Sequence, residues 1–188
     1  MSLATGIVRW KSTNHPSRWG AEIAHFDLQR HRLEAELDRR LGELTSARPE
    51  FVFTALDSAR PDEIAIAISR ASDFSCEARI CVALDQETLV GMDAEFLRSK
   101  NVGIVLDQVD SDTPLSAIGA DLILAVRFKE GFVVRSSVDA RSACILETML
   151  RLAHDLGLAT LANEVPPGRP CGALEFDYVS AAGPSSLR

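Results

Sequence analysis

The feature that most constrains this chain is a repeated alternation of short apolar runs with segments that begin as helices do. Phe51-Val52-Phe53-Thr54-Ala55-Leu56 is rich in strand formers, and Pro61-Asp62-Glu63 follows it. Proline pre-sets the backbone angle of a first helical turn, and acids there complement the exposed N–H groups. The same order recurs as Arg79-Ile80-Cys81-Val82-Ala83-Leu84 before a helix around Met92 to Ser99. It recurs again as Val102-Gly103-Ile104-Val105-Leu106 before a segment around Leu115 to Gly119. Three strand-then-helix units imply parallel strands.

Further along come Leu122-Ile123-Leu124-Ala125-Val126, a long helix from about Asp139 to Leu156 ended by Gly157, then Ala159-Thr160-Leu161-Ala162 and Phe176-Asp177-Tyr178-Val179. Strands that are apolar almost without interruption must be covered on both faces, which implies an α/β sheet or barrel. Between Phe26 and Leu44, the residues Leu33, Leu37, Leu41 and Leu44 align on one side of a helix, and their short stripe fits a core-facing helix better than a coiled coil. In a barrel, the residues at the C-terminal strand ends face the functional mouth: Asp57, Asp85, Asp107, Gln108, Arg127, Asn163 and Glu164.

The 188 residues suffice for a single domain spanning residues 1–188. Residues 1–3 read as additions ahead of it and 181–188 as a frayed tail. Apolar residues are 46% of the chain and aromatic ones only 6%, so the core is expected to be mostly Ala, Val, Ile and Leu. The net charge of -7 works against nucleic acid, whose phosphates require clustered cations. Cys76, Cys81, Cys144 and Cys171 form no CxxC pair, which fits a reduced, cytoplasmic protein with inert thiols. No apolar run approaches the roughly 20 residues of a membrane span.

Leu152-Ala153-His154-Asp155-Leu156-Gly157-Leu158, with Ala159 to Val165 after it, resembles the pattern LAHxLGLxVVAEGVE. Val102 to Asp107 resembles the start of VGIALDDFGTG, and Leu115 to Val133 stands in the place of SLxxLxxLPVDxLKIDxSFV. Together these segments resemble the EAL family, the (β/α) barrels that bind or hydrolyse the bacterial second messenger cyclic di-GMP. The resemblance implies a TIM-like (β/α) barrel of EAL type with shortened or missing elements.

The N-terminus admits two registers. In one, Thr5-Gly6-Ile7-Val8-Arg9-Trp10 and then His15-Pro16 stand for EALLRWxHP, which loses the Glu. In the other, Ile7-Val8 lies in the opening strand and Gly20-Ala21-Glu22-Ile23-Ala24 follows a turn and stands for GxEAL, which keeps it.

Hydrolysis of a phosphodiester by two metal ions needs several carboxylates to hold the cations and activate water. The family's ligand set implies positions here: its Asn falls at Thr54 or Ala55, its second Glu near Val82, its second Asp at Gln108, its Lys near Leu124 and its late Glu at Asn163. Only Asp107 survives, with Glu22 in one register. Hard divalent cations rely on anionic oxygens, so no metal, no catalytic residue and no cofactor is expected.

The reading is therefore a catalytically inactive EAL-like regulatory module that acts on a protein partner in a signalling pathway. The alternative is a metal-independent cyclic di-GMP receptor that uses Arg9, Trp10, Glu22, Asp107, Gln108, Asn163 and Glu164; an active phosphodiesterase ranks lower. Unrelated chemistry on a barrel is a third class, but no GxSxG nucleophile motif supports it. A homodimer is left open. Asp110 and Asp112 read as a turn rather than a calcium loop, because Pro114 and Leu115 occupy positions that such a loop needs for a ligand and a Gly. His154 reads as structural, and Glu164 as a solvated or salt-bridged side chain.

Overall fold

The computed structural model describes residues 6–15, 17–25, 30–45, 47–56, 61–73, 79–100, 102–163 and 176–180. Eight strands close a barrel in chain order: β1 (Gly6–Ser12), β2 (Trp19–His25), β3 (Phe51–Leu56), β4 (Arg79–Leu84), β5 (Gly103–Val109), β6 (Ile123–Phe128), β7 (Ala159–Ala162) and β8 (Tyr178–Ser180). Strands β2 to β8 run parallel, while β1 is antiparallel to both of its neighbours. Closure leaves no sheet edge exposed. The α/β expectation thus resolves to a barrel.

Helices α1 (Arg30–Thr45) and α2 (Pro61–Asp73) follow β2 and β3. The helix expected around 92–99 is α4 (Ala94–Lys100), and a separate short helix that the sequence did not announce, α3 (Gln86–Val90), precedes it. The break between them follows from capping: the Asp85 carboxylate accepts the Thr88 N–H at 2.8 Å and starts α3, and the Asp93 carboxylate accepts the Glu95 N–H at 2.9 Å where α4 begins. After β5 the crossover helix is a single turn, α5 (Leu115–Ile118), consistent with the expected shortening. Helix α6 (Glu130–Arg135), which the sequence reading did not separate, precedes the long α7 (Ala140–Asp155). Gly157, at φ +72°, turns the chain into β7, a backbone conformation that suits glycine.

Alternation along the strands sorts the core into two layers. Outside the barrel wall, aliphatic side chains such as Val82, Ile104, Leu106 and Val126 meet Ile64, Ile68, Leu97 and Leu146 from the helices. Leu37, Leu41 and Leu44 of α1 are buried, as their spacing implied; the side chain of Leu33 lies outside what is described. The inside departs from the aliphatic expectation. Trp10, Phe51, Phe53 and Tyr178 fill it with Cys81, Val105 and Leu161. The Phe51 and Tyr178 rings meet edge to face with centroids 4.8 Å apart, and the Trp10 and Phe53 centroids are 5.8 Å apart. Few aromatics sufficed because they were concentrated in one small volume.

Gly20 makes that concentration possible. A Cβ there would lie 2.2 Å from Phe51 Cζ, and the ring is held in turn by Tyr178 and Phe53. Gly20→Ala is therefore expected to lose about 1–3 kcal/mol through overpacking, measured by denaturant titration; a change of midpoint too small to resolve would show that the ring can move aside.

Cys81 and Cys144 are the free cysteines among the described residues, the first buried and the second exposed. Burial pushes the Cys81 thiol up to about 12, with Arg79 opposing it weakly. The folded protein thus holds that proton more tightly than the unfolded chain does. The associated stability is present below the ordinary thiol range and is lost as pH rises toward about 12. Alkylation at neutral pH, followed by peptide mapping, should label Cys144 and spare Cys81 until the protein is unfolded. Among the described residues, no helix is long and apolar enough to cross a membrane.

Candidate functional site

The strand β2 sets Glu22 toward the barrel interior, opposite Val8 of β1 and beside Phe53 of β3. Asp107 reaches the same space from β5, and Arg127 reaches it from near the end of β6. All three are largely withdrawn from water, with side-chain exposures of 9% for Glu22, 13% for Asp107 and 9% for Arg127. Arg127 lies between the two acids. Its Nη1 donates to Glu22 Oε1 at 2.6 Å, its Nε donates to Asp107 Oδ1 at 2.7 Å, and its Nη2 donates to Asp107 Oδ2. The bidentate pair with Asp107 matches the planar fork of a guanidinium to the two oxygens of a carboxylate.

The remaining acceptors are also taken. Glu22 Oε2 accepts the indole N–H of Trp10 at 3.1 Å, and Asp107 Oδ1 accepts the Gln108 backbone N–H at 2.6 Å. Gln108 sits at φ +57°, an uncommon angle for a side-chain-bearing residue, beside an irregularity in the β5–β6 register. Below the guanidinium, Arg127 Cζ stands 5.4 Å from the centre of the Phe53 ring, a cation–π contact in a water-poor site. Burial by itself would lower the Arg127 pKa, but hydrogen bonds and charge from Asp107 and Glu22 more than reverse this and raise it above the usual arginine value. Among the described residues, Glu22, Asp107 and Arg127 thus bring two carboxyl groups and one guanidinium together at the mouth.

Several sequence expectations change place. The strand–turn–strand arrangement of β1 and β2 is that of the second register, with Glu22 after the turn. Trp10 faces inward, but Arg9 does not: it lies over the Trp19 ring at 4.5 Å and is exposed, because neighbouring strand residues face opposite sides. Of Thr54 and Ala55, Ala55 belongs to the inner cluster. Val82 packs against the helix layer, and its neighbour Ala83 faces in. Leu124 is not where a mouth residue could be. It is partly exposed at the opposite rim, where its Cδ1 would meet a Cβ placed on Gly103. The residue of β6 that faces the acids is Arg127. The signal was available, since matching Phe132-Val133 to the end of DxSFV and counting back puts the pattern's Lys at 127.

Gln108 is exposed and Asn163, just past β7, is partly buried. Asp85 caps α3. Asp57 and Glu164 lie outside the described residues. The Asp110 carboxylate accepts the Asp112 N–H at 2.9 Å, the Asx turn expected there. His154 sits at the far end of the barrel, its Nε2 3.3 Å from Thr160 Oγ1 and 3.4 Å from Asp177 Oδ2, beside a cavity of about 370 Å³ between Ser12, Tyr178 and Gly157. That is the stability face of a barrel rather than its mouth.

Whether the mouth fits the two cations implied by the resemblance can be tested on these oxygens. A divalent ion needs lone pairs that point at it. Here every oxygen of Glu22 and Asp107 already accepts from a donor, one guanidinium occupies the space between them, and the neighbouring inward positions on β3 and β4 are alanines. Among the described residues, no group of three or more His, Cys, Asp or Glu could hold a metal ion. The described residues of the mouth do not fit a two-cation centre.

Comparison of the fold with solved structures returns EAL barrels. The chain superposes on the EAL domain of Mycobacterium smegmatis DcpA with a TM-score of 0.69 and 12% identity, covering 95% of this chain and 90% of that one. For the PaMucR phosphodiesterase in complex with c-di-GMP the TM-score is 0.66 at 13% identity, covering 94% and 88%. A standalone versatile EAL protein from Vibrio cholerae O395, in its c-di-GMP-bound form, gives 0.58 at 11% identity, covering 95% and 91%. No family model matches the sequence, and no curated protein does. The chain therefore has an EAL-type fold: a closed eight-strand barrel whose first strand runs against the rest.

Proposed function

We propose that this chain is an EAL-like regulatory module that does not hydrolyse cyclic di-GMP and that works in signalling through a protein partner. One observation carries the reading: Arg127 is bonded to both Glu22 and Asp107, so the two acids at the mouth are engaged with the protein itself. Electrostatic catalysis of phosphodiester cleavage requires positive charge aimed at the developing anion, and water activated beside it. A guanidinium that gives three of its five N–H groups to two carboxylates is aimed at those acids and activates no water. With Arg127 engaged by Glu22 and Asp107, the described part of the mouth offers an anionic dinucleotide no unpaired cation from these three residues, which speaks against the receptor alternative.

The test is calorimetric titration of cyclic di-GMP into the purified protein with Mn2+ or Mg2+ and again with EDTA, followed by product analysis. Neither heat nor product is expected. Metal-dependent turnover would overturn the proposal. Saturable binding without turnover, unaffected by EDTA, would replace it with the receptor reading.

A further inference from the structure

The mismatch between this mouth and a cation centre has a direction, because the acids are present and a cation is present too, supplied by the chain. We infer that the Arg127 guanidinium is a built-in occupant of a two-carboxylate cation site, so that the mouth ignores divalent ions and exchange of residue 127 alone exposes a site for one. This deepens the reading of the mouth given above.

The geometry supports it on three counts. Glu22 and Asp107 converge from β2 and β5 on one point, and they do so although like charges this little exposed repel strongly. The convergence is held from outside the Arg127 bonds as well, since Trp10 Nε1 anchors Glu22 Oε2 and the Gln108 N–H anchors Asp107 Oδ1. Removing the guanidinium would therefore free Glu22 Oε1 and Asp107 Oδ2 while leaving both carboxylates aimed at the vacated volume. Two carboxylate oxygens with water completing the shell are a normal environment for a hard divalent ion.

The experiment follows thermal unfolding of four proteins, the wild type, Asp107→Asn, Arg127→Gln and Arg127→Gln/Asp107→Asn, in EDTA and in MnCl2. The wild-type Tm should not move with Mn2+. Arg127→Gln should melt lower in EDTA and rise by roughly 5–10 °C when Mn2+ exceeds its Kd about 100-fold; the double variant should lose that rise. Should Arg127→Gln not fold in EDTA, it should refold on addition of Mn2+, and failure to do so would count against the inference. A folded Arg127→Gln that ignores Mn2+ would overturn it, as would Mn2+ stabilisation of the wild type that Asp107→Asn abolishes. An Arg127→Gln protein indifferent to Mn2+, with wild type still inert toward cyclic di-GMP, would remove this inference and leave the regulatory reading standing.

Discussion

Arg127→Met is expected to lower the unfolding free energy by about 3–5 kcal/mol, the range found when one partner of a buried ion pair is removed. The loss would come less from the bonds broken than from what is left behind. Glu22 and Asp107 would face each other with no counter-charge in a site where water barely reaches them. Replacing all three groups with neutral counterparts, as Arg127→Met, Glu22→Gln and Asp107→Asn, should recover much of the deficit, because the uncompensated charge is then gone. Denaturant titration of both proteins decides the matter. If the single variant is nearly neutral, the guanidinium is not the group that holds the acids together, and the account of the mouth fails with it.

Phe53→Ala should have an effect of similar size, about 3–5 kcal/mol, for a different reason. Phe53 is fully buried at the centre of the barrel. Its ring lies 5.8 Å from Trp10 and 6.0 Å from Phe51 between centroids, and it forms the surface under the Arg127 guanidinium. Strands on every side are tied into a closed ladder, so the wall cannot collapse inward to fill the space. The penalty should therefore sit near the upper part of the range for such truncations. Phe53→Leu, which keeps more of the volume, should lose clearly less. Equal losses for the two variants would argue that packing inside the barrel is loose.

The two layers of the core explain why some elements were legible in the sequence and others not. Strands β3, β4 and β5 stood out because residues such as Val82 and Leu106 face helices while Ala83 and Val105 face the interior, so both faces are apolar. Helix α7 stood out because sixteen residues carry an uninterrupted helical pattern between the Asp139 cap and Leu156. Strand β2 was obscured by its polar and small residues, Gly20 and Glu22 among them, which are there for the interior and not for a strand propensity. Helix α6 was too short to announce itself against the helix that follows.

Sequence alone determined the alternation of strands and helices and the residue types along each strand, because these depend on composition and local period. Its resemblance to the EAL pattern carried the fold further. What only the tertiary structure decided is the company each residue keeps. Glu22, Asp107 and Arg127 are 85 and 20 residues apart in succession, from the 105 between Glu22 and Arg127 and the 20 between Asp107 and Arg127. No local rule joins residues at such separations, and a shift of one position along any of the three strands would turn its side chain out of the barrel. Closure of the barrel fixes those registers together, and so places one arginine where two carboxylates meet.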